Sequence, residues 1–244
     1  MKLFDAHVHL QSYGSDAELD AAVRAARESG VERLICCGTR PADWERVLEI
    51  TAKYPEVFPC FGLHPWYAAE AADGWLEKLE GYLKRVPSFV GEIGLDGIKE
   101  APGQEEVFRR QLELAVKLGR PAVIHSVKSW RDTRKIIEKA APPAFMLHGY
   151  GGAAELVKNF ANLGAYFSFG GGIMDPKREK LRAGLAAVPP ERLLFETEAP
   201  ERSAPGPAGL GAVLEAASKV LNRPAADLAA LSFANAEKLC KLAS

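Results

Sequence analysis

Five histidines occur in the chain, His7, His9, His64, His125 and His148, and each falls at or just beyond the end of a short apolar run. The first run reads Phe4-Asp5-Ala6-His7-Val8-His9-Leu10. Side chains on a strand alternate with a period of two. This spelling therefore predicts Asp5, His7 and His9 on one face, with Phe4, Ala6, Val8 and Leu10 packing on the other. Two imidazoles two residues apart can reach one cation, and neutral imidazole is a common ligand for divalent transition metals. A structural role would explain any single histidine. It does not explain the set, because ordinary core or surface histidines would also fall in helices.

Carboxylates stand in matching positions. In Val90-Gly91-Glu92-Ile93-Gly94-Leu95-Asp96, Glu92 sits among glycines and aliphatics, where an unpaired charge is costly to bury. A bound cation or a salt bridge to lysine or arginine would offset that cost. Other runs end in Ile124-His125-Ser126, Leu147-His148-Gly149 and Phe195-Glu196-Thr197-Glu198. Such a donor set suits one or two divalent ions, Zn, Mn or Mg, that lower the pKa of a bound water for hydrolysis. No Gly-x-Ser-x-Gly elbow is present, which argues against serine hydrolase chemistry.

These residues need a scaffold that gathers strand ends. Apolar runs at 3–10, 33–38, 57–63, 89–95, 122–127, 145–147, 165–169 and 193–195 alternate with segments of helical spacing. Ser15 and Asp16 open the first helix and Gly30 closes it. The clearest helix spans 103–118, with Phe108, Leu112, Ala115 and Val116 on one face, and Gly119 and Pro121 end it. Eight βα units in 244 residues predict an α/β fold, a parallel (β/α)8 TIM barrel forming one domain over 1–244, whose active end is the C-terminal mouth of the strands. An open doubly wound sheet is the competing arrangement, but its glycine-rich phosphate loop is missing after the first strand. The stretch 199–211 reads as the loop after strand eight. Helices near 209–221 and 225–242 are expected on the barrel's outside.

Composition narrows the class further. Hydrophobic residues make up 48% and the net charge is −1, so no global basic field advertises nucleic-acid binding, although a metal site can supply local positive charge. No apolar stretch is long enough to span a membrane, and no signal-peptide pattern opens the chain, so no membrane partner is expected. Cys36, Cys37, Cys60 and Cys240 lack zinc-knuckle spacing and are read as buried thiols in a reducing, cytoplasmic setting. The adjacent pair, Cys36 and Cys37, should point to opposite faces of a strand.

Taken in order, Asp5-Ala6-His7-Val8-His9, Gly62-Leu63-His64-Pro65, Gly91-Glu92-Ile93-Gly94-Leu95-Asp96, Phe108 to Ala115, Ile124-His125-Ser126, His148-Gly149-Tyr150 and Glu196-Thr197-Glu198-Ala199-Pro200 resemble the TatD family of metal-dependent hydrolases. The resemblance covers nearly the whole chain. It implies that His7 and His9 hold one metal, that Glu92 bridges two, and that His125 and His148 hold the second. It also implies that His64 contacts substrate. Glu198 stands where the family ordinarily has an aspartate that touches the metal and acts as general base. Lys128 lies where an arginine near the substrate is common, and Gly97-Ile98 replaces an aromatic pair.

The expected activity is that of a deoxyribonuclease or phosphodiesterase acting on DNA or an oligonucleotide, with Glu92 and Glu198 catalytic and His64 and Lys128 binding substrate. Two other readings stay open: a metal-dependent hydrolase of small esters, lactones or amides, and a catalytically weak relative that binds nucleic acid without cutting it. The sequence leaves the oligomeric state open.

Overall fold

A computed structural model of the chain describes residues 1–200 and 206–243. The strands are β1 (Leu3–Val8), β2 (Val31–Cys37), β3 (Val57–Phe61), β4 (Phe89–Asp96), β5 (Ala122–Val127), β6 (Phe145–Leu147), β7 (Ala165–Phe169) and β8 (Leu193–Phe195). The helices are α1 (Asp16–Glu28), α2 (Trp44–Lys53), α3 (Trp75–Arg85), α4 (Gln104–Leu118), α5 (Trp130–Ala140), α6 (Ala154–Ala161), α7 (Glu179–Ala187), α8 (Leu210–Leu221) and α9 (Ala225–Lys241). All eight strands pair in parallel in the order β1 to β8. Two backbone bonds bring the segment after β8 to the first strand, from Glu198 N–H to the His7 carbonyl (3.0 Å) and from His9 N–H to the Ala199 carbonyl (2.7 Å). The result is the parallel (β/α)8 barrel that the alternating pattern predicts.

Local signals set the boundaries. The Ser15 hydroxyl accepts the Glu18 amide at the start of α1. Gly103 and Gly119, both left-handed, bracket α4. Strand alternation then divides the apolar residues into two layers. Leu34, Cys36, Ile124, Leu147, Phe167 and Phe195 face the helices. Ile35, Cys37, Phe89, Val123, Met146, Tyr166 and Leu194 meet one another in the lumen. Cys36 and Cys37 thus point to opposite faces, and all four thiols are buried.

Two expectations need correction. Phe4 and Ala6 join the lumen instead of packing under the helices, while Val8 and Leu10 do face outward. The register between β1 and β2 slips between Asp5 and Val8, which breaks the strict period of two. The final helix also differs. Helix α8 and the start of α9, at Ala225, Leu228 and Ala229, pack on the outer layer as expected, but Ala236, Leu239 and Cys240 of α9, with Ala243 beyond it, close the foot of the lumen. Burying a side chain of the size of Leu239 contributes roughly 1.5–3 kcal/mol. The expected loop at 199–211 lies partly outside the described residues.

Candidate metal centre

The lumen changes character along its length. Two residues beyond lumen-facing Val123 comes His125, beyond Met146 comes His148, beyond Tyr166 comes Ser168 and beyond Leu194 comes Glu196. The same strands that seal the foot with apolar side chains therefore present polar ones at the mouth.

Glu92, 2% exposed, is the hub of these groups. Its Oε2 lies 3.2 Å from His7 Nε2 and 3.5 Å from His9 Nε2. Its Oε1 lies 2.6 Å from His148 Nε2, 2.9 Å from His125 Nδ1 and 3.1 Å from His64 Nε2. The imidazoles also crowd one another, with His7 Nε2 and His9 Nε2 3.1 Å apart and His125 Nδ1 and His148 Nε2 3.3 Å apart. Nitrogen lone pairs converge in this way only around a shared positive charge, a proton or a metal ion. Among the described residues two triads have ligand atoms close enough to hold an ion, His7 with Glu92 and His148, and His64 with Glu92 and His125. The donor set therefore fits one or two divalent cations.

Hydrogen bonds behind the rings decide which nitrogen is free. His9 Nδ1 faces the Cys37 carbonyl at 2.8 Å. A carbonyl only accepts, so Nδ1 carries the proton and the Nε2 lone pair points at the cluster. For His64 the logic reverses. Its Nδ1 accepts the Trp66 amide at 3.1 Å, which leaves the proton of the neutral ring on Nε2. His64 thus meets Glu92 as a donor, which suits contact with substrate better than ligation. His125 Nε2 faces Asp96 Oδ2 at 3.1 Å, and Asp96 is itself fixed by the Trp66 indole and the amides of Ile98 and Lys99.

The charges respond as these contacts require. Burial alone would raise the Glu92 pKa, but His148, His64 and His7 hold it well below the usual carboxylate range. Burial opposes charge on His148 as well, yet Glu92 and Glu196 push its pKa well above normal. His125 also rises, because the pull of Asp96 and Glu92 outweighs its burial. His7 is pushed down to about 4 by burial and by neighbouring His148.

Backbone features hold the parts in place. Gly94 has φ 149°, and a Cβ there would lie 1.9 Å from the His125 carbonyl oxygen, so glycine lets β4 and β5 approach closely. Gln111 of α4 clamps the loop before His64, accepting the Leu63 amide (2.7 Å) and donating to its carbonyl (3.0 Å). Asp5 pins β1 to the turn after β8, accepting the Thr197 hydroxyl (2.6 Å), the Thr197 amide (3.0 Å) and the His7 amide (3.3 Å).

An open cavity of about 400 Å³ reaches this centre, lined by His9, His64, Glu92, His125, Glu198, Thr39, Arg40, Trp66 and Tyr67 among others. Glu198, at φ 60°, lies in its wall, with Oε1 3.9 Å from His148 Nδ1, and belongs to neither triad. Lys128 is exposed and stands outside the lining. Among the described residues the cationic side chain that lines the cavity is Arg40, stacked 4.7 Å from the Tyr67 ring centroid. Reading the sequence alone missed Arg40, Gln111 and the positioning acids Asp5 and Asp96. Only the two acids carried a signal, as carboxylates within otherwise apolar strands.

A barrel with histidines and a shared carboxylate at its mouth defines a class, the barrel hydrolases that work through divalent metal. A family model described as TatD related DNase matches residues 4–241, and the chain belongs to that family. It is 30% identical over 206 residues to the uncharacterized metal-dependent hydrolase YabD of Bacillus subtilis, covering 81% of this chain and 80% of that one. A protein of Erwinia tasmaniensis named 3'-5' ssDNA/RNA exonuclease TatD is 29% identical over 210 residues, covering 81% and 80%. The crystal structure of the TatD homologue YjjV from Escherichia coli superposes with a TM-score of 0.91 at 27% identity, covering 97% of both chains. The protein is a TatD-family metal-dependent hydrolase.

Proposed function

We propose that the centre hydrolyses phosphodiester bonds at the ends of single-stranded DNA or oligonucleotides. The observation that carries this reading is Glu92, buried at the floor of an open, polar cavity with histidines on both of its oxygens. Phosphates in the middle of a duplex cannot reach a buried floor, whereas a strand end can enter. Polar lining with an arginine favours a phosphate over an apolar ester. The name of the Erwinia tasmaniensis relative supports the same choice.

His7, His9, His125 and His148 would hold one or two divalent ions, with Glu92 between them and Glu198 near by. A bound ion would supply positive charge that acidifies water and steadies charge developing on phosphoryl oxygens. The side chains do the rest. Glu198 accepts the proton of the attacking water from the cavity wall. The Nε2–H of His64 donates to a phosphoryl oxygen. Arg40 holds a neighbouring phosphate, and Lys128 contacts the strand only outside the cavity.

The test is a substrate panel with added Mn²⁺, Mg²⁺ or Zn²⁺: end-labelled single strands, the matching duplex, a bis-nitrophenyl phosphate and a nitrophenyl acetate. Stepwise shortening of the single strand that stops with EDTA is expected. Faster turnover of the carboxylic ester than of any phosphodiester would overturn the proposal in favour of an esterase.

A further inference from the structure

We infer that Glu196 is a positioning residue that acts through His148 and His7, fixing both rings so that their Nε2 atoms face the metal centre. The inference rests on the metal-site reading above and adds to it a residue that never touches the ion.

Glu196 is 0% exposed, and neither carboxylate oxygen makes a hydrogen bond among the described residues. A carboxylate in that condition is expensive to bury unless it serves groups nearby. Among the described residues four other buried polar atoms are equally unpartnered; apart from Arg120 Nη1 they are His7 Nδ1, His148 Nδ1 and Ser168 Oγ. They are not scattered. The rings of His7 and His148 stack with centroids 4.0 Å apart and planes 12° from parallel. Both Nε2 atoms face Glu92, at 3.2 and 2.6 Å, so both Nδ1 atoms are the ones turned away from it. Behind them, Glu196 Oε1 stands 3.8 Å from His148 Nδ1; Glu198 Oε1 lies 3.9 Å from the same nitrogen, but its side chain is partly exposed in the cavity wall while that of Glu196 is fully buried.

The barrel lattice puts Ser168 beside this group, because Phe169 pairs with Phe195 and the Glu196 amide donates to the Phe169 carbonyl at 3.2 Å. Gly149 and Gly170 flank the carboxylate. A Cβ at Gly149 would lie 3.4 Å from Glu196 Oε1, and one at Gly170 would lie 3.5 Å from its Cγ.

This is the arrangement of a carboxylate behind metal-binding histidines. At 3.8 Å the contact is longer than a direct hydrogen bond, and a distance of that size suits one bridging water or a small closing movement. An acceptor on that side keeps the ring proton on Nδ1 and leaves the Nε2 lone pair free, and it makes the ligand more basic. Asp96 plays the corresponding part for His125 with the nitrogens exchanged, holding the proton on Nε2 by direct contact at 3.1 Å and leaving Nδ1 to face Glu92 at 2.9 Å. Each side of the centre thus has its own outer carboxylate, and the one on the His7 and His148 side serves two stacked rings at once.

The test uses Glu196→Leu, which removes the acceptor and keeps an apolar side chain of similar size, and Glu196→Gln, which keeps an acceptor oxygen. Zinc affinity is measured by competition with a chromophoric chelator, and the histidine nitrogens of the zinc-loaded wild type are read by NMR. Expected are a loss of roughly 10–100-fold in affinity for the leucine variant, largely rescued by glutamine, and a wild-type His148 with its proton on Nδ1 and zinc on Nε2. Wild-type affinity in the leucine variant would overturn the inference, as would a wild-type His148 that coordinates through Nδ1. The NMR arm decides even where the leucine variant does not fold. His9→Ala runs alongside as the control for the centre itself. If it abolishes zinc binding while Glu196→Leu leaves it intact, only the role of Glu196 fails. If His9→Ala also binds zinc as the wild type does, the metal-site reading fails with it.

Discussion

Asp5→Asn probes the clasp that holds both His7 and the turn carrying Glu198. Asp5 is fully buried, and burial pushes its pKa from 3.8 up to about 8 despite the donors from Thr197 and His7. A carboxyl whose pKa is raised on folding binds its proton more tightly in the folded state. Its contribution is therefore most favourable below pH 3.8 and is lost progressively as pH rises towards 8. Each unit of pKa difference corresponds to about 1.4 kcal/mol, so ionisation of the unfolded chain costs the fold on the order of 4 kcal/mol by pH 7. Asparagine preserves the contacts: its oxygen accepts the two amides and its NH2 donates to the Thr197 hydroxyl. It has no charge to bury. Urea unfolding of the EDTA-treated wild type and variant, at pH 5 and at pH 8, should show the variant gaining about 2–4 kcal/mol on the wild type across that interval. A constant difference at both pH values would refute the reasoning. It would mean that three donors within 3.3 Å keep Asp5 ionised throughout, with hydrogen bonding stronger than burial.

Other outcomes follow from the same geometry. His9→Ala should lower metal-dependent hydrolysis by more than about 100-fold while circular dichroism reports an intact barrel; unchanged turnover would remove this site from the reaction. Because His148 and His125 have raised pKa values, a cation must displace protons from them. Zinc affinity should therefore rise with pH through the neutral range, with proton release visible by calorimetry in buffers of different ionisation enthalpy; pH-independent binding would contradict this. Gly94→Ala places a Cβ 1.9 Å from the His125 carbonyl at a φ that L-residues rarely adopt, and should destabilise the barrel by more than about 3 kcal/mol in a melting experiment. Arg40→Ala should raise KM for a phosphodiester about tenfold or more with little change in kcat, since a charged hydrogen bond contributes roughly 1.5–3 kcal/mol. A kcat loss at constant KM would instead place Arg40 on the reacting phosphate.

The barrel was legible because its two layers obey different rules that the sequence spells in alternation. Val123 and Met146 face the lumen while Ile124 and Leu147 face helices, and both sets are apolar, so the runs read as strands buried on both sides. The same alternation misled at β1. A one-residue irregularity between Asp5 and Val8 transfers Phe4 and Ala6 to the lumen, and nothing in an alternating spelling marks where such a slip falls. Helix α9 illustrates a related limit. Its apolar face is evident from spacing, but spacing does not say whether that face covers the barrel's flank or its foot.

The site divides along similar lines. Histidines and carboxylates at strand ends are few, and strand direction delivers them to one mouth, so His7, Glu92, His125 and His148 can be named from the linear order. Residues on loops have no such vector. Lys128 and Arg40 both follow strand ends and look equivalent in the sequence, and both are exposed, yet Arg40 rests against Tyr67 in the cavity wall while Lys128 stands outside the lining. The choice between ligand and donor is hidden more deeply still. His9 and His64 are both buried imidazoles near Glu92, and what stands behind each ring sets which nitrogen carries its proton: a carbonyl that can only accept, or an amide that can only donate. That difference belongs to backbone groups, which every residue possesses, and so it becomes visible only when the fold has placed them.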